Sequence, residues 1–157
     1  MQQGKKMTAK EYLRDIHSYK RIVESLSDQV EAIRTEIEGV KAMQYDRDRV
    51  QTSPTNRLEE LTVELLPELT RLEAEYIKEL VRYRTELLKR FQQIANMDNP
   101  EYAEVLRLRY IDTDSKGKQF GWKEIAKQMA WSYSKVTHMH GYALQAFDKK
   151  YLQTNAN

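Results

Sequence analysis

Cysteine is absent from this chain, and glycine occurs five times and proline three times among 157 residues. Without a thiol there is neither a disulfide nor a thiolate metal site, a composition that suits a reducing cytoplasm. No uninterrupted apolar run approaches the roughly 18 residues of a membrane-spanning helix. The opening residues lack the pattern of a secretion signal, so a soluble protein that is not exported is expected. Scarce glycine and proline beside abundant Glu, Lys, Arg and Leu leave little support for strands and favour an all-α protein. Signatures of catalysis are missing too. There is no Gly-rich phosphate loop, no GxSxG and no metal-ligand spacing, so no enzyme activity, cofactor or metal is expected. A nuclease needs clustered carboxylates. Asp112 and Asp114 lie close together but lack a third partner, and they read as turn residues.

What is present is charge: 32% of the residues are charged and 40% hydrophobic, which suits one or two small domains. The net charge is only +2 and is unevenly distributed. Residues 1–56 carry ten basic and nine acidic side chains, residues 57–98 seven and nine, and residues 99–157 nine and six. The last segment thus has a surplus of three positive charges. That is modest for a DNA binder, whose affinity follows the number of phosphates neutralised. A dimer or a partner protein would have to enlarge the footprint.

Residues 1–7 are polar and aperiodic, and read as a frayed tail. From Tyr12 a heptad repeat begins, with Ile16, Val23, Val30 and Ile37 at a and Tyr12, Tyr19, Leu26, Ile33 and Val40 at d. Thr8 and Glu11 have capping-box spacing, which predicts a helix from there to about Met43. Ile16, Tyr19, Val23, Leu26, Val30, Ile33, Ile37 and Val40 are its candidate oligomerisation residues. The β-branched a positions are compatible with a two-stranded coiled coil, while the tyrosines at d leave the strand number open. Residues 44–56 collect turn and cap formers and read as a loop. A second long helix, capped by Asn56, should run to about Asn96. Its stripe is Leu58, Leu61, Leu65, Leu69, Leu72, Tyr76, Leu80, Tyr83, Leu87, Phe91 and Ile94, an eleven-residue repeat. Pro67 should kink it, unless residues 57–66 form a separate short helix and Pro67 opens the long one. Residues 8–96 are therefore expected to be an assembly region, a helical hairpin or coiled coil paired within or between chains.

Asn99 and Pro100 signal the start of another helix, with Tyr102, Val105, Leu106 and Leu108 as its apolar side. The polar stretch 112–121, DTDSKGKQFG, reads as an exposed loop. Beyond it Trp122, Ile125, Ala126 and Met129 mark one face of a short helix. Ser132 is placed to cap a second, striped by Val136, Met139, Ala143 and Phe147. Two short amphipathic helices with a tight turn form a helix-turn-helix pattern, here with a supporting helix in front. Residues 99–152 are thus expected to be a trihelical DNA-binding head. A recognition helix reads bases with its N-terminal half, which selects Tyr133, Ser134, Lys135, Thr137 and His138. Lys123 and Lys127 on the preceding helix, and Lys116 and Lys118 in the loop, are candidates for phosphate contact. His138 and His140 are two residues apart and point to different sides of a helix, which argues against metal binding. His140 reads as a packed residue.

The segments VLRLRYID (105–112) and WKEIAKQMAWSYSKVTHMHGYALQAF (122–147) resemble phage-encoded transcriptional activators of the ArpU/RinA kind, whose C-terminal head is similar to region four of sigma factors. MTAKEYL (7–13) and DRVQTSP (48–54) resemble the same group, found in phages and prophages of Gram-positive bacteria. The resemblance implies sequence-specific binding of double-stranded DNA, activation of phage late genes through the host RNA polymerase, and a location in the bacterial cytoplasm. The chain departs from the family pattern in two ways: members commonly have a shorter loop ahead of the tryptophan than DTDSKGKQFG (112–121), which alters backbone contacts, and many carry Arg where this chain has His138 and Gly where it has Ala130. Arginine grips guanine bidentately, so the base preference at His138 does not carry over. The expected protein is a dimeric activator. A small DNA-packaging subunit of the terminase type also combines these parts, and a coiled-coil interaction protein whose head binds polymerase or another protein is a third reading.

Overall fold

A computed structural model describes residues 6–47 and 56–153. Among these the chain is helical, with no strand beyond one isolated bridge between Thr113 and Gln119. The expected all-α class is observed. The helices are α1 (Ala9–Arg14), α2 (Ile16–Arg47), α3 (Asn56–Ala95), α4 (Pro100–Leu106), α5 (Trp122–Met129) and α6 (Tyr133–Phe147). A π-helical turn extends α4 over Arg107–Ile111, and another extends α6 over Asp148–Leu152. No described helix is long and apolar enough to cross a membrane.

Local signals set several of these ends. The Thr8 hydroxyl accepts from Glu11 N at 3.2 Å while the Glu11 carboxylate accepts from Thr8 N at 2.8 Å, the reciprocal bonding expected of a capping box. The Asn99 side chain accepts from Glu101 N at 2.9 Å, with Pro100 in the first turn where its missing N–H costs nothing. Two ends differ from expectation, while the course of α3 agrees with one of the two alternatives offered for Pro67. The first helix is interrupted at Asp15, where Ser18 N bonds Asp15 O in a tighter turn, so α1 is a separate short piece. Helix α2 runs on to Arg47 rather than stopping near Met43. Helix α3 is unbroken through Pro67. Pro67 and Val63 are both exposed, so water can satisfy the carbonyl that lost its partner. The tail residues 1–5, most of the expected loop (48–55) and all of DRVQTSP (48–54) lie outside the described residues.

The chain divides into two compact units, residues 19–83 and residues 1–18 with 84–157. This differs from a boundary at residues 96–99, because the first and last parts of the expected stalk pack with the head segment. In the first unit α2 and α3 lie antiparallel, with Leu26, Val30 and Leu72 buried and Ile33, Leu69 and Tyr76 packed against them. Arg34 pairs with Glu73 at 2.6 Å, and Arg82 lies 5.0 Å above the Tyr19 ring. The residues expected to join chains are thus used within the chain: Ile16, Val23, Leu26, Val30 and Ile37 are buried, and Tyr19, Ile33 and Val40 half-buried. Antiparallel return of α3 gives the heptad stripe an intrachain partner.

The other unit has two cores. One joins Ala9 and Leu13 of α1, Ile94 and Met97, Leu106 and Tyr110, and Ala143 and Phe147 of α6. Its polar fastener is Arg90, 2% exposed. Arg90 donates to Tyr12 O at 3.0 Å and to the Glu86 carboxylate at 2.5 Å, and its guanidinium lies 4.1 Å from the Tyr12 ring centre. Phe91, expected in the buried stripe, is 42% exposed instead. The second core is Leu108, Ile125, Ala126 and Val136, flanked by Phe120, Trp122, Met129 and Trp131.

Candidate nucleic-acid interface

Residues 112–121 form an ordered hairpin-like turn rather than a featureless loop. Asp114 Oδ1 accepts from Lys116 N and Lys118 N at 2.8 Å each, and Asp114 N bonds Lys118 O at 2.7 Å. Gly117 supplies the positive φ of 75° that closes the turn. The turn role expected for Asp114 is therefore observed, and the side chains of Lys116 and Lys118 are exposed. Asp112 instead pairs with Arg107 at 2.8 Å.

Helix α5 begins after Gly121, whose N–H is capped by the Glu124 carboxylate at 2.8 Å. Its buried side is Ile125 and Ala126; Lys123 and Lys127 are exposed. The helix ends at Ala130, φ 53° and ψ 39°, the left-handed conformation that closes a Schellman-type end. Trp131 N bonds back to Ala126 O at 2.9 Å. The turn is only Ala130, Trp131 and Ser132 long, because the Ser132 hydroxyl caps α6 by accepting from Lys135 N at 3.1 Å.

Val136, His140, Ala143 and Phe147 form the buried side of α6. Tyr133, Ser134, Lys135 and His138 are exposed along its first half, and Tyr142, 54% exposed, follows on the same helix. Thr137 is only half-buried, but its hydroxyl donates to Tyr133 O at 3.2 Å and to Ser134 O at 3.0 Å. That bonding engages its donor within the helix. His138 Nδ1 lies 2.7 Å from the Ser134 carbonyl. A carbonyl only accepts, so Nδ1 is the donor in this contact and Nε2 is the ring nitrogen left over. The Lys135 ammonium stacks 3.9 Å from the Trp131 ring centre, tethering the cation beside the turn.

His140 is buried as expected. Its Nε2 lies 2.8 Å from Tyr110 Oη, and its ring meets the Trp122 ring edge-on at 4.6 Å. Burial, followed by the nearby positive charges of Arg109 and Lys10, lowers its pKa to about 4, so the ring is neutral at pH 7. Burial likewise raises the Tyr110 pKa. Arg109 donates to Phe120 O at 3.0 Å and lies 4.3 Å over Trp122, fastening the hairpin turn to α5.

Sequence reasoning passed over Arg90, Arg109 and the basic residues of α1. Arg90 follows Leu72 by five helical turns, so its place on the buried face was readable as a charge in an apolar stripe. Lys10 and Arg14 carry no such signal, because what surrounds them comes from remote segments. No group of three or more His, Asp or Glu suited to a metal occurs among the described residues. No family, curated protein or solved structure matches the chain.

Proposed function

We propose that the chain is a sequence-specific DNA-binding transcription activator that works as a dimer. The observation that carries this reading is the α5–turn–α6 unit, in which the first half of α6 presents Tyr133, Ser134, Lys135 and His138 while its other side is spent on packing. A helix supported in this way can enter a major groove without disturbing its own core. Lys135, released from Trp131 or sharing it, reaches a guanine edge or a phosphate. His138, whose Nδ1 is spent on the Ser134 carbonyl, has only Nε2 left to meet a base edge. Lys116, Lys118, Lys123 and Lys127 supply phosphate contacts. The likeness to phage activators adds late genes and host RNA polymerase to the proposal.

The test is a gel shift on promoter DNA of the source genome. Lys135→Glu should abolish specific binding while the far-UV spectrum stays unchanged. Unaltered binding by this variant would remove α6 as the reading helix.

Within the chain the heptad stripe is covered by α3, so the proposed dimer draws on another face. The outer face of α3 carries exposed Val63, Leu66, Ile77 and Val81, spaced to fall on one side of the helix. We propose this face as the contact between copies. In an antiparallel pair about a two-fold axis near Leu72, Val63 of one copy opposes Val81 of the other and Leu66 opposes Ile77, with Glu64 opposite Lys78.

A further inference from the structure

A small recess of about 190 Å³ lies among Lys10, Arg14, His17, Arg109, Tyr110, Gln119, Trp122 and His140. It brings together α1, the start of α2, the π-helical turn after α4, the hairpin turn and α6. Lys10 and Arg14 are one helical turn apart, so both cations project from one side of α1. Leu13 and Ala9 hold that helix in the core. Arg109 is fixed from below by Trp122 and by its bond to Phe120 O, which leaves further guanidinium donors for a ligand. Gln119 is bonded to the His17 ring, so the opposite wall is also braced.

Among the described residues no carboxylate forms an ion pair with Lys10, Arg14 or Arg109. None of its lining residues is a carboxylate. Each neighbouring acid is occupied elsewhere: Glu11 caps Thr8, Asp15 faces Arg90, Asp112 holds Arg107, Asp114 orders the hairpin turn and Glu124 caps Gly121. The charges of Arg109 and Lys10 add, after burial, to the lowering of the His140 pKa, in keeping with the cations gathered around this recess. Cations gathered on the walls of one recess without a carboxylate among its lining residues attract an anion.

Size selects among anions. At about 30 Å³ per water, the recess holds roughly six waters, and it is smaller than the ~300–1,000 Å³ of pockets that enclose whole small molecules. We propose that this recess binds a single phosphate group, held by Lys10, Arg14 and Arg109. The group is either inorganic phosphate or one phosphodiester of a nucleic-acid backbone. In the second case the proposal rests on the DNA reading above and adds α1 to the interface; in the first it stands without it.

Titration of the full chain with inorganic phosphate, in a chloride buffer of constant ionic strength, is the direct experiment. Trp122 lines the recess, so its fluorescence should change saturably, with a matching heat by calorimetry. The exposed pair Lys10→Gln and Arg14→Gln should weaken half-saturation at least tenfold while the far-UV spectrum is retained. Lys78→Gln on α3 should leave it unchanged. No saturable signal, or equal binding by the double variant, would overturn the site. Duplex DNA separates the sources. If the phosphate is a backbone group, inorganic phosphate competes with DNA and the double variant lowers the salt dependence of DNA binding by about one to two phosphate contacts. If free phosphate is the ligand, the double variant loses phosphate but binds DNA as the parent does. Because the phosphate titration contains no DNA, failure of Lys135→Glu to affect DNA leaves its result readable.

Discussion

At Ala130 a non-glycine residue takes the left-handed backbone that ends α5, φ 53°. For an L-residue this conformation costs roughly 1–2 kcal/mol, and glycine avoids it at the expense of a more flexible unfolded chain. Ala130→Gly should therefore stabilise the protein by about 0.5–1 kcal/mol, read as a higher urea midpoint with an unchanged slope. A lower midpoint would mean that the alanine methyl packs where the helix end alone does not require it. His140 makes a pH prediction whose sign follows from burial. Its folded pKa, about 4, is below the ordinary 6.5, so between these values the unfolded chain binds more protons. Stability is complete above pH 6.5 and falls as the pH drops toward 4, by up to roughly 3 kcal/mol. Chemical denaturation across this window should show that loss, and His140→Gln should flatten it.

Among the elements, those that end on local chemistry could be read directly. Thr8 with Glu11, Asn99 with Pro100, and Ser132 each place a hydrogen-bond acceptor or a missing donor within three residues of a helix start, and each is found there. The packing of α1 could not be read in this way. Ala9 and Leu13 meet Ala143 and Phe147 across more than half the chain, and a heptad pattern cannot say which partner covers its first turns. For the same reason the exposed face on the first half of α6 was legible but the basic recess was not: the residues of that face are neighbours on one helix, whereas Lys10, Arg109 and Gln119 converge only through folding. Arg90 ties α1 to the end of α3, and removing it tests that link. Arg90→Leu loses the bonds to Tyr12 O and Glu86, leaving a part-buried carbonyl without its donor, at a cost of about 2–3 kcal/mol. The thermal midpoint should fall, and amide exchange in α1 should accelerate more than in α5 or α6. Uniform acceleration would show that Arg90 serves the whole unit rather than the α1 attachment.

On the scale of the whole molecule, the proposed DNA affinity would rest on a surplus of only a few positive charges, and doubling the protein would double the phosphates it can neutralise. Leu26 and Val30 of the heptad stripe pack on Leu72 in the same chain. Leu26→Ala should accordingly cost about 2–4 kcal/mol of chain stability without changing the oligomeric state. The outer α3 face is different. Ile77 is 59% exposed and outside the buried cluster of α2 and α3, so a lysine there costs little in the monomer but puts two cations beside an apolar seam in the proposed dimer. Light scattering should give two copies for the parent and one for Ile77→Lys at equal helicity. The logarithmic salt slope of DNA binding should then fall by about half, because it counts phosphates contacted per complex. A parent that is monomeric, or a variant that remains dimeric, would remove α3 as the contact. A variant that is monomeric yet keeps the full slope would mean that one copy makes every phosphate contact, with the basic recess as the place to seek those the four lysines do not account for.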